Sequence, residues 1–411
     1  MSTSSPTRPS SGPRAPASDE TPAIQGAAHD ERSFHKFVVE LYGHGLLVVG
    51  KPGVWSWDRV NPGTAALLEI PRFGSDENVL DLGCGTGVIG AIAGRLAPQG
   101  HATLVDVNLV AVTCARHTLE ENGVANGAVR LGDGVEGLEP TSFDLVLCHL
   151  PRGREVQREL IRGAARVLRP GGRFYFVASV DVGVKGAVSY ARELFGRCGV
   201  VRQKKGYHVA MTVRPDGMDP PPLQAGYATR TVLLEGVDTT LVSKPGVFAW
   251  DRVDEGTAHL IDAMVVGAGD RVLDLGCGTG LAGLVAARRI PDGAIVLVDT
   301  DLRAARSARR TLEANGIRNA DVHLSDGVSQ VIDQEPFDVV ITNPPFHQGR
   351  EVDYEVARQF VRDSRKVLRS GGSLFLVANR FIGYDGLIRR TYGNVGTAYV
   401  GSSYHVLTAK A

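Results

Sequence analysis

The chain is written twice. Lys51-Pro-Gly-Val-Trp-Ser-Trp-Asp-Arg-Val60 returns as Lys244-Pro-Gly-Val-Phe-Ala-Trp-Asp-Arg-Val253, an offset of 244−51 = 193. Val79-Leu-Asp-Leu-Gly-Cys-Gly-Thr-Gly87 recurs unchanged at Val272–Gly280, and 272−79 is again 193. Asp106 maps to Asp299 and Asp133 to Asp326 at the same spacing. A period this long is a duplicated domain, not a short-repeat solenoid. The 411 residues therefore divide into one fold made twice, each copy long enough to bury its own core.

Each copy alternates apolar strands with helical stretches. Val79–Leu82 runs into a glycine turn, and an Ala/Leu/Ile-rich helix follows. Thr103–Val107 and Ile295–Val298 read as second strands, Phe143–Cys148 and Phe337–Thr342 as later ones. Arg173–Ala178 and Ser373–Ala378 follow Gly-Gly turns. Continuously apolar strands between helices imply an α/β fold whose mostly parallel sheet is covered on both faces. Pro215-Asp-Gly-Met-Asp-Pro-Pro-Pro222 reads as a linker. The expected organisation is a Ser/Pro/Ala-rich disordered tail over 1–30, a first domain over 31–220 and a second over 221–411.

Charge removes some functions. Lys+Arg and Asp+Glu both number 45, so a generally basic nucleic-acid coat is excluded. Residues 226–411 hold 21 basic and 22 acidic side chains, so neither half is basic either. No apolar run reaches the ~18 residues of a membrane helix. Cys84, Cys114, Cys148, Cys198 and Cys277 are scattered, without a C-x-x-C pair. Neither a disulfide framework nor a metal site is expected, and a reducing cytoplasm fits.

The glycine turns are anion- or nucleotide-binding devices, because glycine lets the backbone turn sharply beside a ligand. Gly85-Thr-Gly87-Val-Ile-Gly90 and Gly278-Thr-Gly280-Leu-Ala-Gly283 also satisfy the dinucleotide pattern. The surrounding acids are more specific. Asp81 and Asp274 end the first strands, and Asp106 and Asp299 close the next, 19 residues past the last loop glycine (106−87 and 299−280). Their carboxylates can accept from paired ribose hydroxyls. Asp133 and Asp326 follow the third strands.

Chemistry is concentrated in Thr342-Asn-Pro-Pro-Phe-His-Gln-Gly349, at the end of the fourth main strand of the second half. A planar exocyclic amine is a poor nucleophile, since its lone pair is delocalised. Two acceptors aimed at its N–H bonds orient it: the Asn343 side-chain oxygen and the Pro344 carbonyl. Pro344 and Pro345 stiffen the loop and add no N–H donor. Phe346 offers a face for stacking a base. The first half departs from this pattern. Cys148-His-Leu-Pro-Arg-Gly-Arg154 puts His149 at the Asn343 position and Leu150 at the Pro344 position, and has no phenylalanine. The offset moves from 193 to 349−153 = 196 at the next shared glycine.

The ensemble resembles the class I S-adenosylmethionine-dependent methyltransferases, once per half. The resemblance implies two tandem Rossmann-like domains with seven-stranded, mostly parallel sheets. It implies a cofactor set of Asp274, Gly276, Cys277, Gly278, Gly280, Asp299, Asp326 and Asn343, with the second acid on ribose and the third on adenine. Asn343, Pro344, Pro345 and Phe346 would be catalytic. Asp81, Gly83, Gly85, Gly87, Asp106 and Asp133 would make a possible second cofactor site in a non-catalytic first half. Pro245-Gly-Val-Phe248, Asp254-x-Gly-Thr257 and Val377-Ala-Asn-Arg-Phe381 extend the likeness to the tandem-domain ribosomal RNA guanine-N2 methyltransferases. That implies ribosomal RNA as partner, read through local Arg clusters. The motif itself leaves adenine N6, a protein glutamine or a small metabolite open, as well as a non-catalytic RNA-binding factor.

Three lesser readings follow. Arg358, Arg362, Arg365 and Arg369 share a helix face, echoed by Arg158, Arg162, Arg166 and Arg169. They read as solvated outer faces sooner than RNA stripes, and so do Arg303, Arg306, Arg309 and Arg310. Trp57 and Trp250, at matched positions, read as core packing, and His347 is equally consistent with a base pocket and with a structural role.

Overall fold

The computed structural model describes residues 34–223, 226–345 and 354–411. The tail expected over 1–30, Phe346, His347 and Gly349 lie outside the described residues.

Each half opens with an antiparallel hairpin, β1 (His35–Leu41) with β2 (His44–Gly50) in the first copy. Both turn residues have positive φ, 55° at Tyr42 and 70° at Gly43. That geometry suits a two-residue turn of the primed type. The first sheet then takes β3 (Asn78–Leu82), β4 (His101–Asp106), β5 (Gly127–Leu131), β6 (Phe143–His149), β7 (Leu168–Ser179), β8 (Gly199–Lys204) and β9 (Tyr207–Val213). Their order is β5-β4-β3-β6-β7-β9-β8, with only the β9 pairings antiparallel. Helices α1 (Pro62–Leu68), α2 (Val88–Leu96), α3 (Leu109–Glu121), α4 (Arg154–Val167) and α5 (Val184–Phe195) cover it.

The second half repeats the plan. Its hairpin is β10 (Ala228–Leu234) and β11 (Val237–Ser243). Its sheet holds β12 (Arg271–Leu275), β13 (Ala294–Asp299), β14 (Ala320–Leu324), β15 (Phe337–Thr342), β16 (Leu368–Asn379), β17 (Gly396–Val400) and β18 (Tyr404–Lys410). The order is β14-β13-β12-β15-β16-β18-β17. Its helices are α6 (Glu255–Ala263), α7 (Leu281–Arg289), α8 (Leu302–Ala314), α9 (Tyr354–Val367) and α10 (Asp385–Tyr392). The expected pair of seven-stranded, mostly parallel sheets is therefore what the chain forms.

Burial explains the apolar strands. In β12 and β15, Leu273 and Val340 pack into one core, while Val272, Val339 and Ile341 pack into another across the sheet. Alternate side chains point to opposite faces, and helices cover both. The hairpins, which the sequence reading did not anticipate, are tied to helices. Val49 N donates to Thr118 Oγ1 at 3.0 Å and Leu47 N to Asn122 Oδ1 at 3.0 Å. Val242 N and Thr240 N make the matching bonds to Thr311 and Asn315. Side chains on α3 and α8 thus satisfy strand-edge donors that would otherwise stay open.

The halves meet in a reciprocal contact. Leu109 N donates to Thr300 O and Leu302 N to Val107 O, each at 2.9 Å. These four residues are two matched pairs (109+193 = 302; 107+193 = 300). The first turns of α3 and α8 thereby lend unsatisfied N–H groups to each other's copy.

Candidate active site

In open α/β sheets, ligands sit beyond the carboxyl ends of the strands, where the strand order reverses. The second half has a cleft of about 530 Å³ at that place, within the roughly 300–1,000 Å³ usual for ligand sites. Asp274, Gly276, Cys277, Gly278, Asp299, Asp326, Asn343, Pro344 and Pro345 all line it. Gly280 stands just behind, as the left-handed N-cap of α7 with φ 80°.

The loop needs its glycines for two different reasons. Gly276 and Gly280 have φ of 76° and 80°, and an added Cβ would lie 2.8 Å from the Phe360 ring or from Ala308. Gly278 also has positive φ, 54°, but a Cβ there meets nothing within 4 Å. It faces the space a ligand would fill.

The acids shape the loop as well as facing the cleft. Asp274 Oδ2 accepts from Gly283 N at 2.9 Å, in the first turn of α7. Asp299 accepts from Gly278 N at 2.9 Å through Oδ2 and from Asp301 N at 3.0 Å through Oδ1. Burial pushes Asp274 up to about 7 and Asp299 up to about 6. Burial also raises the Cys277 thiol, which makes it an inert small side chain.

The end of β15 carries the reacting group. Thr342 Oγ1 donates to Leu275 O at 2.7 Å and pins that strand to β12. Asn343 Nδ2 then donates to Asp254 Oδ2 and to Thr257 Oγ1, 3.0 Å each. Asp254 is also the N-cap of α6, accepting from Thr257 N at 3.0 Å. Both amide protons of Asn343 are therefore used, and its Oδ1 is the atom it presents to a substrate. Asp254 and Thr257 carry no assigned role in the sequence reading. The Asp-x-Gly-Thr spacing that places a cap and a hydroxyl one turn apart was the available signal. Pro344 is buried and Pro345 exposed. Phe248, at the cleft, is 57% exposed.

The first half keeps the frame and changes the contents. Asp81 and Asp106 make the matching loop bonds to Gly90 N and Gly85 N, and Gly83, Gly85 and Gly87 have positive φ. Yet Asp81 Oδ1 is buried without a hydrogen-bond partner among the described residues. His149 stands where Asn343 does, its Nδ1 3.0 Å from Thr64 Oγ1. Trp55, the counterpart of Phe248, lies edge-on to that imidazole at 4.4 Å. Burial lowers His149 to about 4, so it is neutral near pH 7. Asp133 pairs with Lys244 at 2.7 Å.

The loops also differ more than the shared glycine implies. Val167 ends α4 and Val367 ends α9, an offset of 367−167 = 200. From Asn343 to that end is 367−343 = 24 positions, against 167−149 = 18 from His149.

The arginines divide into two groups. Arg358, Arg362, Arg365 and Arg369 are exposed, as expected, whereas Arg158, Arg162 and Arg166 are half-buried. Of the α8 arginines, Arg309 is exposed as expected, whereas Arg303, Arg306 and Arg310 are half-buried. Arg306 Nη1 bonds Glu136 Oε2 of the other half at 2.6 Å, with its side chain 13% exposed, and Arg310 stacks on Tyr227. Trp57 and Trp250 are half-buried beside the hairpins, against His35 and Arg230, and Trp57 also packs on the small core of Val54, Val110, Ala111 and Cys114.

A glycine loop between two strand-end acids, with a third acid and an asparagine amide lining the same cleft, defines a class I S-adenosylmethionine-dependent methyltransferase. The model of the methyltransferase small domain matches the chain over residues 45–211 and again over 238–408. The chain belongs to that family, with one copy of its domain in each half. Among its relatives, the ribosomal RNA small subunit methyltransferase C of Hahella chejuensis is 35% identical over 269 residues, 65% of this chain and 77% of the relative. The protein of the same name from Pseudomonas entomophila is 32% identical over 258 residues, 63% of this chain and 76% of the relative. A 16S rRNA guanine N2 methyltransferase of T. thermophilus, solved with AdoMet and guanosine, superposes with a TM-score of 0.78 at 30% identity. That match covers 92% of this chain and 98% of the other. No helix among the described residues is long and apolar enough to cross a membrane.

Proposed function

We propose that the second half transfers a methyl group from S-adenosylmethionine to the exocyclic N2 amine of a guanine in small-subunit ribosomal RNA. The observation that carries this reading is the fixed amide of Asn343. Asn343 lines the cleft, and Asp254 and Thr257 take both its amide protons, which leaves Oδ1 for a substrate. An amine donating to Asn343 Oδ1 and to the Pro344 carbonyl is held with its lone pair free of both bonds.

When bound, S-adenosylmethionine supplies an electrophilic sulfonium methyl. The protein's part is alignment and charge placement. Asp299, at the end of β13, would accept from ribose hydroxyls. Its two oxygens already take one backbone N–H each and keep lone pairs for more. The loop from Gly276 to Gly280 would hold the methionine part, and Asp326 would accept from the adenine amine. Asn343 is an amide, so it orients the amine without titrating. Phe346, outside the described residues, would stack the base. A guanine within a helix has to be flipped out to reach this cleft.

The first half is read as non-catalytic and without cofactor. His149 offers no carboxamide oxygen, and Asp133 belongs to a cluster in which a 3% exposed Lys244 is shared with a second carboxylate, Glu159. Titration calorimetry of the full chain tests this point: one cofactor per chain is expected, and two would refute it.

The substrate assignment is tested by incubating total RNA with labelled cofactor and digesting to nucleosides. Label should appear as N2-methylguanosine in 16S rRNA. Label only in protein or small metabolites overturns the assignment. Asn343→Ala should lower turnover on the order of 10²-fold, the size seen when one preorganised catalytic hydrogen-bond partner is removed.

A further inference from the structure

The cleft of the second half is not built by that half alone. Lys51, Pro52, Gly53, Asn108 and Val110 of the first half line it as well. Lys51, Pro52 and Gly53 follow directly on β2, whose last residue is Gly50, and Asn108 and Val110 stand at the start of α3. Gly53 has φ 97°, its carbonyl accepts from Asn108 Nδ2 at 3.2 Å, and its position lies against Val356 of α9. At the tip, the Lys51 ammonium pairs with Asp326.

The duplication supplies an internal comparison. Lys244, the counterpart of Lys51, crosses the other way to Asp133, the counterpart of Asp326. The ammonium groups lie over matched rings, Phe34 at 5.6 Å and Tyr227 at 5.8 Å (34+193 = 227). The two pairs nevertheless differ in what surrounds them. Lys244 meets a second carboxylate, Glu159, at 2.7 Å, and its side chain is 3% exposed. The position matching Glu159 on α9 is Gln359 (159+200), which brings no charge. Lys51 and Asp326 are 16% and 15% exposed, and both open onto the cleft. Lys244 is closed off between two carboxylates, of which Glu159 is itself 34% exposed, and Lys51 borders ligand space.

We propose that Lys51 is a positioning residue of the catalytic half's cofactor site, supplied by the other half: it holds Asp326 as an anionic, oriented acceptor for the exocyclic amine of the cofactor's adenine. An adjacent ammonium favours the ionised carboxylate and gives it one geometry. A carboxylate so held accepts from an amine and rejects a ring that presents a carbonyl in its place. The inference rests on reading the second half as the cofactor-binding one.

The test uses the full chain and two probes, S-adenosylhomocysteine and S-inosylhomocysteine, which differ at that exocyclic group. Calorimetry on the wild type should give a preference of about ten-fold or more for the adenosyl probe, the size of a hydrogen bond to a charged group. Lys51→Met should weaken adenosyl binding and leave inosyl binding nearly unchanged, so the preference collapses. Lys51→Arg should restore part of it. Lys244→Met removes the reciprocal lysine, which does not line this cleft, and should keep the wild-type preference even if it lowers the melting temperature. The preference is a ratio within one sample, so partial unfolding does not create or erase it. A Lys51→Met protein that still discriminates as the wild type does refutes the role of Lys51. A wild type that binds both probes equally refutes instead the adenine assignment of Asp326.

Discussion

An asparagine amide has an oxygen and a nitrogen of similar size, so its chemistry depends on which end its neighbours accept. Around Asn343 the choice is forced. Asp254 is a carboxylate that can only accept, and Thr257 Oγ1 lies within 3.4 Å of Asp254 Oδ2, so its own proton is directed there. Asp254→Asn keeps a good helix N-cap and removes this polarity. Turnover should fall by roughly ten-fold or more while cofactor affinity stays the same, which steady-state kinetics and calorimetry separate; an unchanged kcat would show that Asp254 only caps α6. The strand-end acids give a second residue-scale expectation. Folding raises Asp299 to about 6 and Asp274 to about 7 through burial. For a carboxyl raised above its unfolded value, the stabilising contribution is present below about pH 4 and is lost as pH rises through the folded value. Hydroxyls that donate to ionised Asp299 reverse that shift, so cofactor binding should release protons and tighten between pH 5 and 7. Calorimetry in two buffers of different ionisation enthalpy measures the release. Asp299→Asn should reduce it, and a pH-independent affinity in the wild type would remove Asp299 from the ribose contact.

At the scale of elements, the glycine loop separates folding from binding within three residues. Gly280→Ala meets two costs, a left-handed backbone and a Cβ 2.8 Å from Ala308 on α8. It should lose roughly 2–5 kcal/mol of stability. Gly278→Ala meets only the backbone cost, roughly 1–2 kcal/mol, and projects its methyl into the cleft. Denaturation midpoints should therefore fall further for Gly280→Ala, and cofactor affinity among folded molecules should fall further for Gly278→Ala. This loop was legible in the sequence because the constraint is local: only glycine adopts these angles freely. The hairpins were not legible. Their turns, Tyr42-Gly43 and Glu235-Gly236, use a primed geometry without the Asn-Gly or Asp-Gly that usually announces it. The loop between β15 and α9 was legible in its chemistry but not in its length. Its alignment rested on a single shared glycine, whereas the helix ends place six more residues between Asn343 and Val367 than between His149 and Val167 (24−18).

For the whole molecule, duplication was plain in the sequence, and its main consequence was hidden. A repeat shows that residues match, not that matched residues meet. Arg306 read as a solvated arginine because no acid stands three or four residues from it in the sequence, and Glu136, which it bonds, is 306−136 = 170 residues away in the other copy. Lys51 and Lys244 belong to the same kind of contact, and so do the α3 and α8 first turns. Each half therefore has part of its strand-end surface finished by the other, and the two should not unfold independently. Lys244→Met tests this coupling. Removing a cation that is 3% exposed leaves Asp133 and Glu159 as facing anions. The loss should be roughly 2–4 kcal/mol, near the range for breaking a buried pair and tempered by the partial exposure of Glu159. If the halves are coupled, calorimetry of the wild type shows one transition, and the variant shifts all of it downward. Two transitions, with only one displaced by Lys244→Met, would mean that the reciprocal contacts align the halves without binding their stabilities together.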